Sequence, residues 1–261
     1  MPTRTSRWLA GGGAEADPVT QLEVLEALTH IDASAGWCLM VATTAVGLPA
    51  GFLPDEAIGK ILAGGRVPPA AVAILPTGTA TPVDGGYRLT GRWPFASGVR
   101  HAEWLTAGAM VRRDAQDPGE RHIVVIPAAA AEIHDNWKVA GLEGTGSNDF
   151  SVTDCFVPAA FTWNPATATP RRGGALFRLG MPAFVAYEHV AFALGVTAGP
   201  LAPPPYWRSP SRAASSPPRR WRGARPSRRG SASVRSVYAR SGRAPSSSSR
   251  RPGPPWRRAA P

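Results

Sequence analysis

The chain has 261 residues, is 43% hydrophobic and carries a formal net charge of +11. That is enough chain for one large or two modest domains with a sizeable core. The charge does not mark the whole chain as a nucleic-acid binder, because residues 1–200 hold all 18 acidic residues and only 14 of the 29 basic ones, whereas residues 201–261 hold 15 Arg and no acid. The two cysteines, Cys38 and Cys155, have no metal or redox spacing, so they read as buried free thiols of a reducing compartment, and no metal ligands are assigned.

In chain order, "MPTRTSRWLAGGG" has no apolar signal core, and a cytoplasmic location is expected. "DPVTQLEVLEALTHI" predicts a helix capped by Thr20 with Glu23 three residues on, its apolar face formed by Leu22, Val24, Leu25, Leu28 and Ile31. "DAS" (Asp32–Ser34) ends that helix and caps the next. "ASAGWCLMVATTAVGLPAGFLP" (Ala33–Pro54) is uncharged and approaches membrane-span length, but Gly47, Pro49 and Gly51 favour a buried helix followed by a turn. "PDEAIGKILAGG" (Pro54–Gly65) is a short helix with Pro at its start and a Gly pair at its end.

From Ala70 the period changes. "AVAIL", "GYRLTGRW", "WLTAGAMV", "RHIVVIP" and "FSVTDCFVP" are short apolar or alternating runs separated by turns such as "VDGGY" and "RRDAQDPGE". They predict an antiparallel sheet or barrel. "ALFRLGMPAFVAYEHVAFALGV" turns helical again, broken near Pro182. The fold class is therefore α+β: an N-terminal helical segment (17–68), an antiparallel β-barrel middle domain (69–163) and the start of a C-terminal helical bundle (173–198). Residues 201–261 lack periodicity and read as a disordered Arg/Pro/Ser-rich tail. Their Arg, Pro, Ser, Ala, Gly and Trp mixture, with Trp207, Trp221 and Trp256, is what a GC-rich gene gives out of frame, which is favoured over an evolved nucleic-acid-binding tail.

Three stretches carry a resemblance: "EALTHIDASAGW" (Glu26–Trp37), "DGGYRLTGRWPFASGVRHAEWLTAGAMV" (Asp84–Val111) and "WKVAGLEGTGSNDFSVTDCFVP" (Trp137–Pro158). With the order of elements, they resemble the acyl-CoA dehydrogenase superfamily, and within it the two-component flavin-dependent monooxygenases that hydroxylate phenols, over roughly residues 17–198. The resemblance implies a reduced flavin, FMN or FAD, supplied by a separate flavin reductase, a small aromatic substrate and a homotetramer. Members of the superfamily have further helices before the one at Gln21, where this chain has "RTSRWLAGGG", and a complete four-helix bundle, of which only the first helix, to about Val196, is recognisable. The expectation is therefore a flavin enzyme truncated at both ends. A dehydrogenase using FAD and acyl-CoA is the alternative, disfavoured because "LPTGTATP" (Leu75–Pro82) stands where the dehydrogenases have a Thr-x-Pro-x-x-Gly-Ser loop. A non-enzymatic fragment with a basic tail is the alternative of another class.

The same resemblance nominates site residues. Trp93, Phe95, Ala96 and Ser97 would wall the flavin, the rings supplying apolar surface and Ser97 an edge contact. Strand alternation puts Trp93, Phe95 and Ser97 on one face, so Trp93 and Phe95 are also readable as sheet core. Ser147, with Thr145 beside it, would lie by the reactive part of the flavin; a turn serine ahead of Asp149 is the plain alternative. His101 would orient a phenolic substrate or move its proton, or is simply an exposed loop histidine; Trp37 would wall the substrate pocket, or is core. Ser147 and His101 are the catalytic candidates. His30, His122, His134 and His189 form no constellation and receive no role.

Overall fold

The computed structural model describes residues 16–201, except 64 and 115. The tail expected over residues 201–261 lies outside the described residues except for Leu201, which is helical.

Helix α1 (Pro18–Ile31) starts one turn earlier than its sequence pattern suggests, because Asp17 is the cap. The Asp17 carboxylate accepts from the backbone N–H groups of Val19 (3.0 Å) and Thr20 (3.1 Å), and the Thr20 hydroxyl itself donates to Asp17. Asp32 ends α1 and caps helix α2 (Ala33–Phe52), as its position predicts, accepting from Ser34 and Ala35 N–H.

Helix α2 corrects the expectation of a Gly/Pro turn: it runs unbroken through Gly47, Pro49 and Gly51. Pro49 has no N–H for the carbonyl of Ala45, four residues back. The buried hydroxyl of Thr106 fills the vacancy, donating to Ala45 O at 3.0 Å. This is the one described helix long and apolar enough to cross a membrane, and half of it is buried inside the molecule. At its C-terminal end Arg172 Nη1 donates to Ala50 O and Leu53 O, both at 2.7 Å, while the guanidinium also pairs with Asp55. That places a cation where the helix dipole is negative. Helix α3 (Asp55–Ile61) follows.

Seven strands form one sheet: β1 (Ala70–Val83), β2 (Gly86–Trp93), β3 (Trp104–Val111), β4 (Glu120–Pro127), β5 (Glu132–Ile133), β6 (Phe150–Pro158) and β7 (Thr162–Trp163). Their order is β5-β6-β2-β1-β3-β4-β7. The expected antiparallel barrel is thus corrected twice: the sheet does not close, and β1 and β3 are parallel. The parallel pair follows from the order. The Asp84–Gly85 turn, with Gly85 at φ +72°, reverses the chain into β2. The next connection reverses it again but crosses to the far side of β1, so β3 runs the way β1 does. The sheet curls strongly. Pro158 pairs with Gly86 of β2, and only four residues later Thr162 pairs with Val124 of β4 on the other side.

The curled sheet encloses the main core. Trp93 has no exposed surface, stacks on Phe150 with centroids 5.0 Å apart, and donates its indole N–H to Gly108 O at 2.7 Å. A Cβ on Gly78 would sit 2.2 Å from the Trp93 ring, so that strand position has to be glycine. A second, smaller core of Leu25, Met40 and Ala191 joins α1, α2 and helix α4 (Met181–Leu201). Cys38 and Cys155 are free thiols, half-buried rather than buried as expected, and desolvation raises the pKa of both.

Candidate functional site

Strand register builds the site. Trp93 at the end of β2 pairs with Phe150 at the start of β6, so the residues after one strand lie beside those before the other. Two backbone bonds prolong the pairing: Ala96 N–H to Asn148 O at 3.2 Å and Gly98 N–H to Thr145 O at 2.8 Å. This brings together "PFASG" and "GTGSND", two of the motifs singled out in the sequence.

Between them runs a row of buried hydroxyls. Trp37 Nε1 donates to Ser97 Oγ at 2.8 Å. Ser97 Oγ lies 2.7 Å from Ser147 Oγ, which lies 2.6 Å from Thr145 Oγ1. Thr145 Oγ1 donates to the carbonyl of Leu142 at 2.9 Å. Ser97, Thr145 and Ser147 are each at most 4% exposed.

The backbone around the row is unusual. Phe95 has φ +61° and Leu142 φ +56°, a left-handed conformation that side chains disfavour by about 1–3 kcal/mol. At Phe95 it has a direct consequence. The strand alternation that would put Phe95 with Trp93 is broken, and Phe95 is 69% exposed while Trp93 is fully buried. Phe95 meets Trp137 edge to face at 6.2 Å, and Trp137 Nε1 donates to the same Leu142 carbonyl at 3.2 Å. The outcome is a solvent-facing aromatic pair beside a row of hydroxyl oxygens.

Charged and amide groups clamp the loop. Arg92 binds the Asp149 carboxylate through Nη2 (2.8 Å) and Nε (3.0 Å). Burial works against the Asp149 charge, but hydrogen bonds from Asn136 and Arg92 prevail and hold its pKa below the usual range. Buried Asn148 accepts from Arg100 Nε at 2.9 Å and donates to His134 O at 2.8 Å, and Arg100 pairs with Asp135.

Of the nominated residues, the fold gathers Trp37, Ser97, Thr145 and Ser147 into one hydrogen-bonded row. Trp93 and Ala96 lie in the core, with no exposed surface to offer a ligand. His101 is exposed at the end of a 3-10 turn (Val99–His101), its ring beside Gly98, and joins none of these bonds. Sequence reasoning passed over His189 and Phe192. Both pack edge to face on Trp37, at 5.8 Å and 4.8 Å. His189 and Phe192 are three residues apart on one helix face, a spacing visible in the sequence. His189 Nδ1–H donates to Val185 O at 2.9 Å, which leaves Nε2 as the open ring nitrogen. A cleft of about 540 Å³ opens at the opposite end of the sheet, around Tyr87 and His122, away from the hydroxyl row. No cluster of three potential metal ligands occurs among the described residues.

No family model matches the sequence. The chain is 34% identical over 152 residues to the indole-3-acetate monooxygenase of Pseudomonas putida, covering 58% of this chain and 38% of that protein. It is 31% identical over 201 residues to the oxygenase component of an FADH2-dependent resorcinol hydroxylase of a Rhizobium species, covering 72% of this chain and 49% of that one. The crystal structure of the HsaA monooxygenase from M. tuberculosis superposes with a TM-score of 0.62 at 25% identity, over 75% of this chain and 52% of that chain. The chain thus spans half or less of the length of the curated relatives it matches. Its homologues are oxygenase components of flavin-dependent monooxygenases, and its described part has their acyl-CoA dehydrogenase-like fold.

Proposed function

We propose that this chain corresponds to part of the oxygenase component of a two-component monooxygenase that uses reduced FMN or FAD, delivered by a separate reductase, to hydroxylate a small aromatic substrate. The observation that carries the reading is the pairing of an exposed aromatic ring with a buried hydroxyl row at the junction of β2 and β6. A flavin ring system has apolar faces and a polar, hydrogen-bonding edge. Phe95 and Trp137 suit a face, and the Ser97 and Ser147 oxygens suit the edge. When bound, reduced flavin supplies the electrons that activate oxygen.

The protein's own groups position the ring and exclude water from its edge. Trp93 and Phe150 brace the strand ends behind the site rather than touching the ligand. Trp37, flanked by His189 and Phe192, offers an aromatic surface for the substrate. His189, with its open Nε2, is a better placed proton carrier than His101.

Anaerobic titration of the chain with reduced FMN and reduced FAD tests the reading. Saturable binding that Phe95→Ala weakens at least about fivefold is expected, the worth of one well-packed aromatic contact. Absence of binding at micromolar protein and flavin, or binding indifferent to Phe95, overturns it.

A further inference from the structure

The hydroxyl row has a direction, and proton counting reveals it. A serine or threonine hydroxyl has one proton to give and two lone pairs to receive with. The Leu142 carbonyl, which also receives Thr145 N–H (3.1 Å) and Trp137 Nε1 (3.2 Å), can only accept, and giving the Thr145 proton to it is the choice that leaves every hydroxyl proton of the row with an acceptor. In the 2.6 Å contact, then, Ser147 donates to Thr145. With the Ser147 proton committed, Ser97 donates to Ser147 across 2.7 Å. Trp37 Nε1, which can only donate, fills one lone pair of Ser97. The protons therefore all point from Trp37 toward Leu142. Reversing them would leave the Ser97 proton with no acceptor at a buried position, one hydrogen bond fewer in the row.

We propose that Thr145 is a positioning residue that sets this direction: by giving its proton to Leu142 O, it makes Ser97 and Ser147 hydrogen-bond acceptors toward a ligand, so the site selects a ligand edge that donates. Ser97 and Ser147 each keep one open lone pair and no free proton. The inference rests on the flavin reading and deepens it. The two redox forms of flavin differ at ring nitrogen N5, which carries a hydrogen when reduced and is a bare acceptor when oxidised. A row of acceptors matches the reduced form. The oxidised form gains a bond only if the Ser97 O–H turns away from Ser147, which gives up one hydrogen bond for the one made.

The test uses the full chain with Thr145→Val, Thr145→Ser and Trp37→Phe. Affinities for reduced and oxidised FMN and FAD are measured anaerobically. Thr145→Val removes the anchor, lets Ser147 donate to Ser97 and frees the Ser97 proton. It is expected to lower the reduced-to-oxidised affinity ratio about tenfold, the effect of one hydrogen bond lost and one gained. Thr145→Ala makes the same point without the β-branch. Thr145→Ser restores the ratio, and Trp37→Phe, which leaves the anchor in place, keeps the wild-type preference. An unchanged ratio in Thr145→Val, or an equal fall in Trp37→Phe, overturns the proposal.

A ligand-free measurement separates this proposal from the flavin reading. The Leu142 carbonyl carbon resonance should move upfield in Thr145→Val and stay in place in Ser147→Ala. No movement in Thr145→Val refutes the direction, whatever binds. Movement as expected in a chain that binds neither flavin overturns the flavin reading and the ligand preference together, while the direction stands.

Discussion

The sheet and the helices of this chain bury their apolar residues to very different degrees. Inside the curled sheet, Trp93, Leu89, Leu105, Ile123 and Phe150 have no exposed surface. Where α1, α2 and α4 meet, the buried cluster among the described residues is only Leu25, Met40 and Ala191, and Ile31 and Val19 are 80% and 62% exposed. The contrast separates what holds the site from what borders it. The hydroxyl row hangs from the ends of β2 and β6, inside the well-packed region, and only Trp37 and its ring partners come from the helices. The site's backbone strain at Phe95 and Leu142 is tolerated because the strands leading into it are fixed by a dense core.

If that contrast is right, damage to the sheet should be felt most. Trp93→Ala removes the largest fully buried side chain, its stack on Phe150 and its bond to Gly108 O. We expect a loss of about 3–5 kcal/mol in denaturant unfolding, with no compact sheet left at moderate denaturant. A loss below about 1 kcal/mol would break the comparison, since the sheet would then not depend on its own core.

The next effect probes the seam between the regions. Thr106→Val leaves the Ala45 carbonyl without a donor and should cost about 1–3 kcal/mol. Pro49→Ala restores an amide to the helix. In that background Thr106→Val should cost at most about half as much, which a double-mutant cycle measures. Additive effects would mean that Thr106 does not substitute for the missing amide of Pro49.

These cases also show what could be read in the sequence. Alternation and Gly-rich turns marked β2, β3 and β6 closely, and Asp32 was legible as a double cap, because these are local rules. The parallel β1–β3 pair was not legible, since alternation fixes a strand's faces but not its neighbour. The run of α2 through Pro49 depended on Thr106, a residue far along the chain. At the site, Ser97, Thr145 and Ser147 were singled out by motif resemblance, and register brings them together. The facing of Phe95 opposite to Trp93 was missed because a positive φ at a phenylalanine leaves no mark in composition. Trp37 was noted as a ring, but its indole N–H bond to Ser97 comes from tertiary packing alone.

The smallest effect, and the one that sharpens the comparison most, concerns one carboxyl in each region. On the helical side, Glu188 is buried among α1, α2 and α4, accepts from Thr44 Oγ1 at 2.9 Å, and lies 3.4 Å from Thr43 Oγ1. Tyr187 and His189 are its titratable neighbours, and desolvation raises its pKa. On the sheet side, Asp149 is burdened by desolvation too, but the Asn136 and Arg92 bonds leave its pKa lowered. The signs follow from proton linkage. The native state holds the Glu188 proton above the ordinary value of 4.5, so the stability it contributes is lost as pH rises through its raised pKa. Asp149 contributes stability above the ordinary value of 3.8 that is lost as pH falls through its depressed pKa. Unfolding measured from pH 3 to 8 should therefore show Glu188→Gln flattening the upper limb and Asp149→Asn flattening the acid limb, each by no more than about 1.4 kcal/mol per pH unit. If Glu188→Gln instead flattened the acid limb, its carboxylate would be well served in the native state, and the helical junction would be more polar and more open than its packing implies.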